Sequence, residues 1–310
     1  MKKKVYMAEV IHPDAEKKLR EYADVVDNFD HIEELDAIFL RAHHLNRDQI
    51  SRAKKCKVIA RHGVGMDILD VQACREFGIP ITYTPGANTY SVAEFAFTMS
   101  LALMRNLYQT EYIQKTQGFK EMGPVSLRGN ELRGKVIGIV GASGRIGSTL
   151  ASMYLGFGCK VLGYTVHTTA EELAKKGVTR ISTIEEMVAQ SDIVSINCPL
   201  LEETRGMFNA EMFSHFKPGS ILINTARGPI VDEEALYEAL TNGTLRACGS
   251  DVFCDEAHSF DSPLNKLDNF IGFPHVAANT HESMYNMAMW AVDDLIAVLE
   301  GREPKYLYEG

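Results

Sequence analysis

Nowhere in the 310 residues is there an uninterrupted apolar run of the ~18 residues that a membrane span needs. The basic start Lys2-Lys3-Lys4 is followed by Glu9, His12 and Asp14 rather than by an apolar signal core, so neither a membrane partner nor secretion is expected. Positive charge is in deficit, 32 Lys and Arg against 41 Asp and Glu for a net charge of −9, which argues against nucleic acid or an anionic surface as partner. The six cysteines (Cys56, Cys74, Cys159, Cys198, Cys248, Cys254) include no CxxC pair, so structural zinc is not expected and reduced thiols in the cytoplasm are. His43-His44 has no Cys, Asp or Glu partner at ligand spacing, and neighbouring side chains point apart in a strand, so no metal is expected there either. Asn242-Gly243-Thr244 reads as a turn after a helix rather than as a glycosylation site. Internal repeats and low-complexity tracts are absent.

What is present is an ordinary globular composition, 45% hydrophobic and 24% charged, in a chain long enough for two cores at roughly 150 residues per domain. Short β-branched runs alternate with amphipathic stretches, the pattern of an α/β protein with parallel sheets. Strands are expected over residues 58–60, 79–83, 135–140, 160–164, 192–196, 220–224, 247–252 and 270–273. A long helix is expected from Ser91 to about Leu107, its all-round hydrophobicity implying burial between two bodies. The polar, poorly periodic stretch 109–133 reads as an extended arm carrying a domain connection. A closing helix is expected from Ser283 to Leu299, with Met284, Met287 and Met289 at core spacing.

Residues 135–147 stand out. A strand runs into Gly141-Ala142-Ser143-Gly144-Arg145-Ile146-Gly147, which opens a helix. A helix start offers unpaired N–H groups and the positive end of the dipole, and glycines let a pyrophosphate approach the backbone, so this turn points to a dinucleotide. Its spacing, Gly-x-x-Gly-x-x-Gly, is one residue longer than the usual pattern. The next strand should end in a carboxylate that holds the adenosine ribose of NAD. Thr165 stands there instead, followed by Val166-His167-Thr168-Thr169, and no carboxylate appears before Glu171. Nothing repels a 2′-phosphate, yet no arginine is adjacent, so the choice between NAD and NADP stays open, with NADP usable.

From about Lys57 to Gly301 the chain resembles the D-isomer-specific 2-hydroxyacid dehydrogenases, the group of phosphoglycerate dehydrogenase and glyoxylate/hydroxypyruvate reductases. The resemblance rests on motifs in order. These are Arg61-His62-Gly63-Val64-Gly65-Met66-Asp67, Thr84-Pro85-Gly86-Ala87-Asn88 with Ser91-Val92-Ala93-Glu94, the glycine turn, and Pro199-Leu200 with Glu203-Thr204-Arg205-Gly206. Lys217-Pro218-Gly219, Asn224-Thr225-Ala226-Arg227-Gly228, Asp251-Val252-Phe253 and Pro274-His275 complete the series. Ile68 and the run Ala277-Ala278-Asn279-Thr280 depart from the usual pattern.

The resemblance implies two Rossmann-like domains, with a discontinuous substrate domain at 1–99 and 283–310 and an NAD(P)-binding domain at 100–282, and it leaves no room for an appended regulatory domain. It implies hydride transfer between NAD(P)H and a small 2-oxoacid to give a D-2-hydroxyacid, or the reverse, in a homodimer. On this reading Arg227 grips the substrate carboxylate and His275 is the acid–base group. Glu256 pairs with His275, holding its tautomer and favouring the imidazolium, although the neighbouring Asp255 competes for that role. Gly63, Val64 and Gly65 offer N–H groups to the carboxylate. Asp251 contacts the carboxamide. Gly141, Ser143, Gly144, Arg145, Ile146 and Gly147 cradle the pyrophosphate, and Thr165, His167, Cys198, Pro199, Thr204, Thr225, Ala226 and Ala277 complete the cofactor's surroundings. A dinucleotide-sensing corepressor of the same fold is the competing reading.

Overall fold

The computed structural model describes residues 2–309. It resolves into two compact units, one running to Asn88 and resuming at Ala278, the other Thr89–Ala277.

The first unit contains β1 (Lys3–Tyr6), α1 (Pro13–Tyr22), β2 (Ala23–Val26), β3 (Ala37–Leu40), α2 (Arg47–Arg52), β4 (Ile59–Arg61), α3 (Val71–Glu76) and β5 (Ile81–Thr82). The strands form one sheet in the order β2-β1-β3-β4-β5, every pair parallel. Strands buried on both faces read as continuous apolar runs, because both faces must be covered. Val5, Phe39, Val58 and Ala60 pack with Leu19 of α1 and with Ala291, Val292 and Leu295 of the closing helix, His281–Leu299. Tyr6, Ile38, Leu40 and Ile59 face Ile50, Ala73 and Cys74 on the other side. Helix starts are capped as their sequences dictate: Asn46 and Gln49 form a capping box on α2, and Asp70 caps α3.

The second unit continues with α4 (Thr89–Met104), α5 (Leu107–Thr116), β6 (Val136–Val140), α6 (Arg145–Gly156), β7 (Lys160–Tyr164), α7 (Ala170–Ala174), β8 (Val178–Arg180), α8 (Ile184–Gln190) and β9 (Ile193–Ile196). It ends with α9 (Ala210–Ser214), β10 (Ser220–Asn224), α10 (Glu233–Thr241), β11 (Leu245–Ser250) and β12 (Phe270–Gly272). Its all-parallel sheet has the order β12-β11-β10-β9-β6-β7-β8, so the winding direction reverses between β6 and β9. In the first unit the same reversal lies between β1 and β3. Open α/β sheets place ligands at such switch points, beyond the strands' carboxyl ends.

The structure departs from the sequence reading in several places. The unit boundaries come earlier than 99 and 282, because all of α4 packs on α6, β10 and β11 of the second unit. The stretch 109–133 is neither a domain connection nor wholly extended. It lies inside the second unit and begins in α5. No residue of α5 is buried in the chain, so its sequence carries no apolar stripe to read. His43 and His44 follow β3 in a loop rather than a strand, with the His43 ring 5.2 Å from that of Phe29. No helix among the described residues is long and apolar enough to cross a membrane.

His62, just beyond β4, is 4% exposed, and its Nε2 has no hydrogen-bond partner among the described residues. Burial, reinforced by the charges of Arg41 and Arg61, pushes its pKa down to about 3. An unfolded chain takes up this proton below pH ~6.5, whereas the folded chain stays neutral until far lower. Stability therefore falls as pH drops below ~6.5, by at most ~1.4 kcal/mol per pH unit from this group alone. We expect the thermal midpoint to fall between pH 7 and 5, and to fall by less in His62→Gln; equal falls in both proteins would remove His62 as the cause.

Candidate active site

The second unit's switch point is built by close backbone approach. Gly141 has φ +83°, and a Cβ there would lie 2.6 Å from the Asn197 carbonyl oxygen at the end of β9. A Cβ on Gly147 would lie 2.3 Å from the Gly141 carbonyl oxygen, so α6 can start this close to β6 only with glycine. Gly144 is the N-cap of α6 and has more room, 3.3 Å from the same oxygen. The first and third glycines of the lengthened motif are thus sterically required, and the first-turn N–H groups of α6, with Ser143 and the exposed Arg145, border the cradle. Ile146 packs partly against the core below.

Around this cradle, buried polar atoms stand without partners among the described residues. Thr225 Oγ1, after β10, and Asn197 Oδ1, after β9, are both buried and unsatisfied. Such groups are rare in folded chains and call for a ligand or ordered water. The glycine cradle and these two orphaned oxygens fit a dinucleotide laid across the strands' carboxyl ends.

Beside β6, Thr165 is buried at the end of β7, and its hydroxyl lies 2.7 Å from Ser143 Oγ. His167 is exposed on the following loop. No arginine is adjacent to Thr165 in the sequence, but the fold supplies one. Strand β8 pairs with β7 so that Arg180 lies opposite Gly163. Arg180 Nε donates to the Thr168 carbonyl at 3.1 Å, and Nη2 to that of Thr165 at 3.4 Å.

Cys198 follows β9, its thiol pushed up to about 11 by burial and therefore protonated at neutral pH. Pro199 and Thr204 form a self-contained turn. The Thr204 hydroxyl donates to the Pro199 carbonyl and accepts from the Leu201 N–H, both at 2.8 Å, so it shapes this loop rather than standing ready for a ribose.

Three loops beyond β10, β11 and β12 carry the acid–base candidates. Asn224, the last residue of β10, accepts from the Ala226 N–H and donates to the Arg227 carbonyl, both at 3.0 Å. Arg227 Nη1 donates to the Ala226 carbonyl at 2.7 Å. A Cβ on Gly228 would fall 2.0 Å from the Phe253 carbonyl carbon, so this loop lies directly on the one after β11. That second loop brings Glu256 to His275: both carboxylate oxygens stand 3.0 Å from Nδ1. Asp255 is engaged elsewhere, with His258 Nδ1 at 2.9 Å, which separates the two carboxylates that the sequence left open. With Nδ1 held as the N–H by Glu256, Nε2 is the ring nitrogen left to face a reactant.

His275 has φ +55°, a conformation uncommon for a residue with a side chain. Asp251 holds it there. The Asp251 carbonyl accepts from the His275 N–H at 2.8 Å, and its carboxylate accepts from the N–H groups of Val276 and Ala277, each at 2.8 Å. Asp251 is 1% exposed, and burial raises its pKa against the pull of those two N–H bonds. Where a carboxamide contact was expected, the carboxylate therefore orders the histidine loop. Ala277 is fixed again by Ser91 Oγ, which donates to its carbonyl at 2.6 Å.

In the first unit, the turn 63–65 also differs from expectation. The Gly63 N–H is already donated to Thr84 Oγ1 at 3.0 Å, and Arg61 braces the turn by donating from Nε to the Gly65 carbonyl at 2.8 Å. Of the three N–H groups expected to meet a carboxylate, only those of Val64 and Gly65 have no acceptor among the described residues.

The second unit coincides with a known family. Residues 97–277 match the model of the D-isomer specific 2-hydroxyacid dehydrogenase NAD binding domain. The chain belongs to the D-isomer specific 2-hydroxyacid dehydrogenases, a family of NAD(P)-dependent oxidoreductases. Along its length it is 36% identical to a glyoxylate reductase of Thermofilum pendens over 98% of this chain and 94% of that one. It is 34% identical to a D-3-phosphoglycerate dehydrogenase of Methanocaldococcus jannaschii over 96% of this chain, but it spans only 58% of that protein's length. Among solved structures, the D-lactate dehydrogenase of Aquifex aeolicus, complexed with NAD and lactic acid, superposes with a TM-score of 0.87 at 30% identity, covering 96% of each chain. The dehydrogenase glycine cradle predicts a graded response. Gly147→Ala, with its 2.3 Å clash onto backbone, should weaken dinucleotide binding and destabilise by roughly 1–3 kcal/mol, whereas Gly144→Ala should cost less. Equal effects of the two, measured by urea unfolding and dinucleotide titration, would contradict the close-approach account.

Proposed function

We propose that this chain reduces a small 2-oxoacid to the D-2-hydroxyacid, or runs the reverse reaction. The observation that carries the proposal is the two-oxygen grip of Glu256 on His275 Nδ1, on loops ordered by Asp251 at the carboxyl ends of the parallel strands.

When bound at the cradle, the reduced nicotinamide supplies the hydride. The Arg227 fork binds the substrate carboxylate and polarises the neighbouring carbonyl. His275 gives the proton on Nε2 to the carbonyl oxygen in reduction and takes it from the hydroxyl in oxidation. Glu256 keeps the second ring nitrogen occupied, so the proton moves only at Nε2. The residues around the cradle hold the dinucleotide. The first unit is then the substrate domain and the second the dinucleotide domain. A corepressor that only senses dinucleotide is the weaker reading, since a sensor gains nothing from a histidine with one nitrogen clamped and the other presented.

The same proposal places the protein in the cytoplasm, which its six free thiols support, and makes it a homodimer. Support for the dimer comes from Leu107, Tyr108 and Tyr112 of α5, together with Met122 and Val125, which expose large apolar side chains along one stretch of the second unit. Light scattering at micromolar concentration should give twice the chain mass; a monomer would refute the dimer.

Activity is tested by following NADH and NADPH absorbance with glyoxylate, hydroxypyruvate, pyruvate and 3-phosphohydroxypyruvate. His275→Ala should lose ~10²–10⁴ in turnover with unchanged dinucleotide affinity. Dinucleotide binding without turnover of any 2-oxoacid would overturn the enzyme reading, and undiminished turnover in the variant would remove His275 from the mechanism.

A further inference from the structure

The loop after β7 is where a dinucleotide-binding sheet reads the adenosine ribose. An acidic residue there takes the 2′-hydroxyl of NAD, whereas an arginine nearby accommodates the 2′-phosphate of NADP. We infer that this chain is built for the 2′-phosphorylated dinucleotide, with Arg180 as the residue that selects it. The inference rests on the dinucleotide-dependent function proposed above and deepens it by naming the cofactor.

Four observations carry it. First, the residues that follow β7 (165–169) contain no carboxylate, and the buried Thr165 hydroxyl bonds Ser143 rather than an acid. Second, the nearest acids, Glu171 and Glu172, stand in the first turn of α7, and Glu172 is turned back onto Thr169, accepting from its N–H and its hydroxyl at 2.9 Å. Third, Arg180 is brought under the loop by the β7–β8 pairing, where it fixes the carbonyls of Thr165 and Thr168. Fourth, those two bonds use two of the five guanidinium N–H groups, and no carboxylate among the described residues lies within ion-pair distance of Arg180. A half-buried cation with three donors to spare, beneath a loop of hydroxyls and one histidine, is a site for a dianionic ester. A neutral ribose hydroxyl gives the charge nothing to meet. The two loop bonds also limit the guanidinium's freedom, so little further entropy is lost when a phosphate arrives.

Direct binding tests this without reliance on turnover. Titrate the purified protein with NADPH and NADH by ligand fluorescence, and with 2′,5′-ADP and 5′-AMP by competition. NADPH and 2′,5′-ADP should bind roughly 10- to 100-fold more tightly than NADH and 5′-AMP, as a charge-assisted contact to one phosphate allows. That margin should shrink as salt is raised. Arg180→Gln should remove most of the margin by weakening NADPH, with NADH changed less than about threefold. The exposed-loop variant His167→Asp, which leaves Arg180 and the core alone, should likewise weaken NADPH more than NADH by repelling the phosphate. NADH binding as tightly as NADPH in the parent chain would overturn the inference while leaving the dehydrogenase reading intact. Equal weakening of both dinucleotides by Arg180→Gln would show that the arginine only holds the loop, and would overturn its role as selector. If neither dinucleotide binds, the inference falls together with the function on which it rests.

Discussion

The loop that carries His275 depends on one buried carboxylate. Asp251 directly follows β11 inside the unit, and its burial, with a smaller push from the Glu256 charge, opposes ionisation. Its oxygens are matched by the N–H groups of Val276 and Ala277, while its own carbonyl receives the His275 N–H. These three bonds hold a side-chain-bearing residue at φ +55°, where strain of order ~1 kcal/mol is tolerated only if the surroundings over-determine the geometry. Remove the carboxylate and two N–H groups lose their partners at the place where the histidine must be oriented. The ring then has no reason to meet Glu256 rather than water.

The parallel sheet explains why such a clamp can form. With every strand of the second unit running the same way, the loops after β9, β10, β11 and β12 emerge on one edge. Residues far apart in the chain, such as Gly228 and Phe253, then meet in backbone contact. The same edge concentrates N–H groups at the start of α6, which reconciles anion binding with a net charge of −9. The attraction comes from oriented backbone dipoles and a few placed guanidinium groups, and the remaining surface is free to stay acidic.

How much of this is legible in the sequence varies with the distance over which the information is written. The strand, glycines and helix at 135–147 are local and were readable, as were β7 and β10, residue for residue. The family motifs named Arg227, Glu256 and His275, but only the folded loop decides between Glu256 and Asp255, because adjacent residues differ in direction rather than in chemistry. Arg180 was invisible. It lies fifteen residues beyond Thr165, on a three-residue strand with no periodic signal, and only the parallel register sets it beneath the loop. The commitment of the Gly63 N–H to Thr84 was hidden for the same reason, since its partner lies in the segment after β5. Helix α5 was missed because a helix with no buried face has no apolar period to announce it.

The exposure of the histidine pair indicates what Glu256 does. The His275 and Glu256 side chains are 41% and 47% exposed, so water screens their attraction and an ion pair in that setting adds little to stability. Had the pair served to hold the fold together, it would have been placed deeper, with both oxygens satisfied by further donors. Its value lies in direction instead. A carboxylate presenting both oxygens to Nδ1 leaves one tautomer and one ring orientation favoured, and it does so at a surface a reactant can reach. The buried Asp251 orders the backbone and the exposed Glu256 orders the ring. The two carboxylates are thus separated by burial as well as by task, the first beyond the reach of solvent and the second, half-exposed, on the ring's Nδ1, which leaves Nε2 open.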